Sequence, residues 1–298
     1  MKRDTRNKKR EIFCQTSKKN HLRGMRKFIV LTIVFFIAVQ NFAASVDTVE
    51  VYSNAMHKEI KCVVIKPASY KKKNKLFPVV YLLHGYSGNY SNWVALVPQI
   101  KNYADDYQLI IVCPDGGFSS WYFDSPIDSS MKYETYIGTE IPLWIDAHYR
   151  TNKNRKARAI TGLSMGGHGG LFLGFRHADI FGACGSMSGG VDLNSSHSKF
   201  DISLRIGDTI KYAKNWTDYS VINIVNNYPK DSLKIIIDCG TEDFFYDINA
   251  SLHKKLLQLH IPHDYIERPG EHNWNYWSNA VQYQLLFFHN YFLSANKK

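Results

Sequence analysis

The sequence lacks an apolar run long enough to cross a lipid bilayer. Its longest such run, residues 28–39 (FIVLTIVFFIAV), has twelve residues, whereas a membrane-spanning helix needs about 20. Cysteine is scarce, with five in 298 residues, and no CxxC pair suggests a metal or redox site. Repeats and low-complexity linkers are missing too. A disulfide framework and a repeat architecture are therefore excluded, and the 45 % apolar content excludes a disordered chain.

Positive charge is concentrated at the N-terminus. The formal net charge is +11, but residues 1–45 contain 11 of the 37 Lys and Arg residues and only Asp4 and Glu11 as acids. Residues 46–298 contain 26 basic and 24 acidic side chains, so this part is nearly neutral. A near-neutral body lacks the basic surface that nucleic-acid binding requires, and no nucleic-acid partner is expected.

Residues 1–45 have the pattern of an N-terminal extension followed by a secretory signal peptide. Arg26-Lys27 form a short basic flank before the apolar run, and Ala43-Ala44-Ser45 supply small residues after it. We therefore predict a start at Met25, cleavage near Ala44 or Ser45, and a secreted or periplasmic mature chain with no membrane insertion. An uncleaved membrane anchor is the alternative.

Residues 46–298 are predicted to form a single α/β domain, because strand-like runs alternate with helical patterns. The later strands are almost continuously apolar, as in parallel strands covered by helices on both faces, whereas the first two alternate like antiparallel edge strands. Strands are predicted at 49–53, 58–66, 78–83, 109–113, 157–163, 181–187, 233–239 and 264–268. Helices are predicted at 134–148, 166–176, 248–260 and 276–292.

Two polar stretches interrupt the alternation. The basic segment Lys71–Lys75 lies between two strand-like runs and is predicted to be a solvated hairpin loop. Residues 190–231 follow Gly189 and contain no clear strand. We interpret this second stretch as a lid-like insertion with short helices near the mouth of a site.

The sharpest motif is Gly162-Leu163-Ser164-Met165-Gly166, a GxSxG pattern between an apolar strand and a helix. In this context the serine occupies a strained strand-to-helix turn, which explains why its neighbours two residues away are glycine. The helix N-terminus favours a developing negative charge beside it. Ser164 is therefore the predicted nucleophile, the alternative being an idle serine in a glycine-rich turn.

A serine nucleophile needs a base and an orienting acid, which in this architecture follow it in the order acid, then histidine. Asp243 lies beyond the strand at 233–239, on the edge of the sheet where Ser164 also lies; Asp238, Glu242 and Asp247 are alternatives. His272 follows the last strand on the same edge and is the predicted base. The remaining histidines after Asp243 are placed on helices or at the opposite edge: His253, His260, His263 and His289.

Backbone N–H groups of Tyr86 and Met165 are the predicted oxyanion donors. Tyr86 follows the strand PVVYLL at a sharp turn, and Met165 follows the nucleophile. His84 is interpreted as a structural support for the turn. Aromatic and acidic residues near these segments are candidates for stacking on, or bonding to, an aryl group or a sugar, with loop packing as the alternative: Trp121, Tyr122, Asp124, Trp274 and Trp277.

Several segments in chain order resemble the putative-esterase family of α/β-hydrolases, which includes feruloyl and acetylxylan esterases, tributyrin-type esterases, S-formylglutathione hydrolases and mycolyltransferases. The matching segments are YLLHGYSGNYSNW (81–93), SWYFDSP (120–126), YETYIGTEIPLWID (133–146), ITGLSMGGHGG (160–170), CGTEDFFYD (239–247) and PGEHNWNYW (269–277). The resemblance implies an α/β-hydrolase fold and a triad of Ser164, Asp243 and His272, with Asp243 favoured over Asp238. It also implies oxyanion donors at Tyr86 and Met165. Glu271 and Asn273 depart from the residues that many members have beside the histidine.

The combined interpretation is a secreted serine esterase that forms an acyl-enzyme without cofactor or metal. The resemblance points to removal of short acyl or feruloyl groups from plant polysaccharides such as xylan, so the expected partner is a small-molecule or oligosaccharide ester. Alternatives are an S-formylglutathione-hydrolase-like thioesterase, a general short-chain esterase, an acyltransferase and a non-catalytic carbohydrate-binding relative.

Overall fold

The computed structural model describes residues 43–196, 198–228 and 233–295, so the predicted leader up to residue 42 lies outside the described residues. The described chain forms an eight-stranded sheet in the order β1-β2-β4-β3-β5-β6-β7-β8. The strands are β1 (Ser45–Ser53), β2 (Lys58–Lys66), β3 (Val79–Leu83), β4 (Ile110–Pro114), β5 (Arg158–Gly162), β6 (Ala183–Met187), β7 (Lys234–Gly240) and β8 (Asp264–Arg268).

The first two strands are antiparallel and the rest of the sheet is parallel. β2 pairs antiparallel with both β1 and β4, while β3 through β8 pair in parallel with their neighbours. All eight predicted strands are present, which confirms the α/β architecture. β1 is longer than predicted because Ser45 to Thr48 pair with Lys66 to Val63.

The predicted hairpin at Lys71–Lys75 is wrong. This basic segment connects β2 to β3 along the chain, but β4 lies between these two strands in the sheet, so they do not pair with each other. The segment is an exposed connection.

Helices connect the strands. They are α1 (Asn92–Leu96), α2 (Ile100–Tyr107), α3 (Tyr133–Thr135), a π-helical turn (Tyr136–Glu140), α4 (Ile141–His148), α5 (Met165–Arg176), α6 (Ile202–Ile206), α7 (Ala213–Asp218), α8 (Val221–Ile224), α9 (Tyr246–Gln258) and α10 (Trp274–Ala295). Short 3-10 turns lie at Ala68–Lys71, Arg155–Ala157, Leu193–Ser196 and Val225–Asn227. The sequence did not predict α1 and α2, which are short.

The sheet is covered on both faces, and β3 shows how the sequence achieves this. Val79, Tyr81 and Leu83 belong to one buried cluster, which also contains side chains of α5 and α9. Val80 and Leu82 belong to the other cluster, with side chains of α2 and α10. Because successive side chains of a strand point to opposite faces, an apolar run of five residues serves two cores at once.

The polar insertion predicted at 190–231 is built mostly from short helices, as expected. Its described residues include α6, α7 and α8, and they contain no strand; residue 197 and residues 229–231 of this stretch lie outside the described chain. Among the described residues, no helix is both long and apolar enough to span a membrane.

His168, on α5, joins this insertion to the central layer. Its Nε2–H donates to the carbonyl of Tyr219 at 2.9 Å, and its Nδ1 is buried without a hydrogen-bond partner among the described residues. Burial lowers the pKa of His168 from 6.5 to about 4, so the folded protein holds this imidazole neutral.

We expect His168 to make the fold less stable in acid. The unfolded chain binds a proton at His168 below pH 6.5 while the folded chain does so only near pH 4, so stability falls as the pH decreases through this window. His168→Gln retains an N–H donor for Tyr219 but cannot titrate. The loss of unfolding free energy between pH 7 and pH 4.5, measured by urea unfolding, should be smaller in the variant by about 2 kcal/mol. Equal losses in both proteins would contradict the assignment.

Candidate active site

Ser164 occupies a sharp turn between β5, which ends at Gly162, and α5, which begins at Met165. Its backbone is strained, with φ 55° and ψ −116°, and its N–H donates to the carbonyl of Met187 at 2.9 Å. A Cβ atom on Gly162 would lie 2.7 Å from the Leu83 carbonyl oxygen, and one on Gly166 would lie 2.8 Å from the same atom. Both positions therefore require glycine, since β3 passes directly beside the turn.

The predicted nucleophile, base and acid form one hydrogen-bonded chain. His272 Nε2 lies 2.9 Å from Ser164 Oγ, and His272 Nδ1 lies 2.9 and 2.8 Å from the two carboxylate oxygens of Asp243. The Asp243 side chain is fully buried and that of His272 is 12 % exposed. An acceptor at Nδ1 keeps the proton on that nitrogen, so Nε2 is free to accept the Ser164 hydroxyl proton.

The three alternative carboxylates are placed elsewhere. Asp238 is buried inside β7, where it accepts hydrogen bonds from Tyr276 Oη at 2.5 Å and from the Arg268 guanidinium at 2.6 Å. Burial raises the pKa of Asp238, which the two donors oppose. Glu242 accepts the N–H of Gly270, and Asp247 lies in the first turn of α9. The structure thus brings Asp243, and none of these three, against His272.

The other candidate histidines also lie apart from Ser164. His253 Nδ1 and His263 Nε2 share a hydrogen bond of 2.8 Å, and His289 Nδ1 bonds the Tyr107 carbonyl at 3.1 Å. His260 is exposed and follows the end of α9.

Gly85 and Tyr86 bring a second backbone segment to the serine. A Cβ atom on Gly85 would lie 3.4 Å from Ser164 Cβ, so the turn after β3 touches the nucleophile. Among the described residues, neither the N–H of Tyr86 nor that of Met165 has a hydrogen-bond acceptor. Two unpaired donors flanking Ser164 provide the arrangement that stabilises an oxyanion.

His84 supports this turn from within the core, as its predicted structural role requires. Its Nδ1 bonds the Gly85 carbonyl at 2.8 Å, and its Nε2 accepts the Gly116 N–H at 2.8 Å. Burial lowers the pKa of His84, which keeps the ring neutral and leaves one nitrogen able to accept. The ring therefore joins the loop after β3 to the loop after β4.

A cavity of about 410 Å³ opens beside Ser164 and His272. Trp274 and Trp277, both predicted substrate contacts, line it. Phe200 and Phe244 also line it, and sequence reasoning missed both. The Phe244 ring lies 4.1 Å from the His272 ring, centroid to centroid, and 6.2 Å from the ring of Phe200, to which it is nearly parallel. Tyr86, Ser87, Gly88, Asn92 and Leu163 complete the described lining with Gly85.

The other three predicted substrate contacts do not line this cavity, which corrects their assignment. Trp121 and Tyr122 are fully buried, and the first donates its Nε1–H to the Phe200 carbonyl at 2.9 Å. Tyr122 Oη donates to the His84 carbonyl at 2.8 Å. Asp124 accepts the N–H and hydroxyl of Thr135, at 3.0 and 2.6 Å. The two rings are committed to packing and the carboxylate is committed to Thr135 at the end of α3, so these residues hold neighbouring segments in place.

In the part of the chain that the structure describes, no three His, Cys, Asp or Glu side chains are grouped so that they could hold a metal ion. The four described cysteines are buried free thiols. The groups that the structure brings together at this site are a serine hydroxyl bound to an imidazole and two unpaired backbone donors.

Comparison with known proteins assigns a family. The sequence profile of the putative-esterase family matches residues 53–288. An esterase of Mycobacterium tuberculosis is 26 % identical over 238 residues, which cover 70 % of this chain and 51 % of the relative. This chain thus spans about half the length of the first curated relatives that it matches.

Two further relatives are matched over nearly their whole length. An acetyl esterase of Caldicellulosiruptor saccharolyticus is 26 % identical over 251 residues, covering 77 % of this chain and 92 % of the relative. A solved structure of a ferulic acid esterase superposes with a TM-score of 0.74 at 30 % identity, covering 85 % of this chain and all of the other. The predicted α/β-hydrolase fold is confirmed by these matches.

The two buried aspartates can be distinguished by the same substitution. Asp243→Asn should lower kcat for p-nitrophenyl acetate by a factor on the order of 10⁴, because the amide no longer holds the proton on His272 Nδ1. Asp238→Asn, its matched control, should lower kcat by less than about tenfold while lowering the thermal unfolding temperature, because its partners are structural. The reverse order of the two kcat values would show that Asp238 is the functional acid.

Proposed function

This chain belongs to the putative-esterase family, and from that premise we propose that it is an exported serine esterase. Its proposed substrates are short acyl or hydroxycinnamoyl esters of plant polysaccharides such as xylan. The observation that carries the proposal is the aromatic cavity beside the hydrogen-bonded chain Ser164–His272–Asp243.

The geometry supports a two-step acyl transfer to water. Ser164 Oγ attacks the ester carbonyl as its proton passes to His272 Nε2, and the N–H groups of Tyr86 and Met165 bind the oxyanion. His272 then gives that proton to the departing alcohol, leaving an acyl-serine. Water attacks the acyl-serine with His272 again acting as base, and the acid is released with Ser164 restored.

The size and lining of the cavity favour a small planar acyl group. The volume of about 410 Å³ lies at the low end of the range for small-molecule sites, and five aromatic residues contribute to its wall: Tyr86, Phe200, Phe244, Trp274 and Trp277. Aromatic rings stack favourably on other aromatic rings and on sugar faces. The likeness to a ferulic acid esterase at 30 % identity and to an acetyl esterase supports the same range of acyl groups.

Export is proposed from the leader pattern and fits the start of the described domain. β1 begins at Ser45 and pairs with β2 through nine residue pairs that start at Ser45 and Lys66. Cleavage directly after Ala44 would therefore leave the first strand whole, whereas cleavage farther along would shorten it.

The substrate class is tested by acyl-chain length. We expect kcat/KM to be high for acetyl, butyryl and feruloyl esters and to fall at octanoyl, and we expect release of acetate or ferulate from xylan. Ser164→Ala should abolish every one of these activities while the circular dichroism spectrum is unchanged. A maximum at octanoyl or longer, without release from xylan, would contradict the cell-wall substrate and leave a general lipolytic esterase.

The aromatic wall is tested by Phe244→Ala, with Tyr52→Ala as control. Phe244 is 61 % exposed beside His272, whereas Tyr52 is an exposed ring on the edge strand β1. Phe244→Ala should raise KM for the feruloyl ester several-fold more than KM for the acetyl ester, because only the larger acyl group reaches the ring. Equal changes for both esters would contradict an aryl-binding role.

Export is tested by N-terminal sequencing of the protein recovered from outside the cytoplasm. We expect a mature N-terminus at Ser45 or Val46, because small residues end the leader there. Recovery of a chain that still contains residues 28–39 in a membrane fraction would refute cleavage.

A further inference from the structure

We propose that Asp201, in the segment 190–231, is a positioning residue for the oxyanion donor Tyr86. Its carboxylate binds the Tyr86 hydroxyl and so holds the backbone that presents the Tyr86 N–H to the reacting carbonyl. This inference rests on the proposed function, because it assigns a role within that ester hydrolysis.

Tyr86 is joined to the insertion by its side chain. Its Oη donates to Asp201 Oδ2 at 3.1 Å across a separation of 115 residues. The ring packs edge-on against Phe118, with centroids 5.0 Å apart, and against Phe200 at 5.5 Å. Burial and the Asp201 carboxylate both raise the pKa of Tyr86, so the hydroxyl remains a donor at neutral pH.

The main chain on both sides of Tyr86 is held, but its own N–H is not. Gly85 lies against Ser164, and the Ser87 N–H donates to the Phe118 carbonyl at 2.7 Å. Among the described residues the Tyr86 N–H has no acceptor. An oxyanion donor must be unpaired in this way in the free enzyme, so that it can bind the substrate oxygen. Tyr86 is therefore held by a hydrogen bond through its hydroxyl, and the acceptor of that bond is Asp201.

Asp201 lies in a left-handed turn. Phe200 and Asp201 have φ values of 58° and 56°, in the left-handed region that non-glycine residues seldom occupy. The Trp121 indole N–H bonds the Phe200 carbonyl, which fixes the first of the two residues. Asp201 does not line the cavity, so its carboxylate reaches the reaction through Tyr86 and not by touching the substrate. The left-handed turn at these two residues places the Asp201 carboxylate on the Tyr86 hydroxyl.

The inference is tested with Tyr86→Phe, Asp201→Ala and their double variant on p-nitrophenyl acetate. Each single variant should lower kcat about tenfold and leave KM within about twofold, because an oxyanion donor acts in the transition state. The double variant should be no slower than either single variant, since both remove the same contact. Asp201→Asn should retain most of the rate, because its amide oxygen still accepts the Tyr86 hydroxyl.

A transition-state analogue separates positioning from a general structural role. The affinity of an alkyl boronic acid, which forms a tetrahedral adduct on Ser164, should fall in parallel with kcat/KM in Tyr86→Phe and Asp201→Ala. Asp218→Ala is the matched control, since Asp218 lies in the same insertion and pairs with the exposed Lys214. That control should match the wild type in both measurements.

The possible failures are distinct. Three results would overturn the positioning role while the wild type still hydrolyses esters and the proposed function stands. These are a kcat of Asp201→Ala equal to that of the wild type, additive effects of the two substitutions, and a rise in KM with kcat unchanged. If the wild type hydrolyses no ester, the proposed function fails first. Because Tyr86→Phe deletes only a hydroxyl, it keeps the test open even if Asp201→Ala does not fold.

Discussion

The site depends on one strained residue. Ser164 has a positive φ, a conformation that costs a non-glycine residue on the order of 1–3 kcal/mol and persists only where the surroundings enforce it. Its N–H is bound by the Met187 carbonyl on the neighbouring strand, and Gly162 and Gly166 allow β3 to pass within contact distance. The same close approach brings the turn after β3, with Gly85, against the serine. The proposed oxyanion loop and the proposed nucleophile are thus placed by one packing constraint.

The loop that carries the proposed base, His272, is held by a second, buried constraint. Asp238, inside β7, binds Arg268 at the end of β8 and Tyr276 in the first turn of α10. The loop that carries His272 runs between these two partners, so both of its ends are fastened to the same carboxylate. Asp243, a few residues farther along, then needs only to orient the ring. Asp238 and Asp243 lie near the same strand end but differ in their partners. Asp238 accepts hydrogen bonds from Arg268 and Tyr276, whereas Asp243 faces the imidazole of His272.

The sequence predicted the parts of the fold and site that depend on local pattern. The eight strands follow from apolar runs, and the turn at Ser164 follows from a glycine spacing. His272 was predicted to lie beside Ser164 because both residues follow strands at the same edge of the sheet. Asp243 was preferred because it follows the strand at the edge that carries Ser164, and family resemblance then favoured it over Asp238, which lies inside the same strand. The aromatic residues show where pattern is insufficient. Trp121 and Tyr122 are buried while Phe200 and Phe244 line the cavity, and that difference depends on tertiary packing across segments far apart in the chain.

Two adjacent residues of the segment 190–231 contact the cavity and the loop after β3. Phe200 lines the cavity and its carbonyl accepts the Trp121 N–H, while the next residue, Asp201, binds the side chain of Tyr86. Under the proposed function, a change in this short segment would alter the acyl pocket and the proposed oxyanion loop together. Because the acyl group and the oxyanion are neighbouring parts of one substrate, a pocket reshaped for a new acyl group must also leave Tyr86 in place.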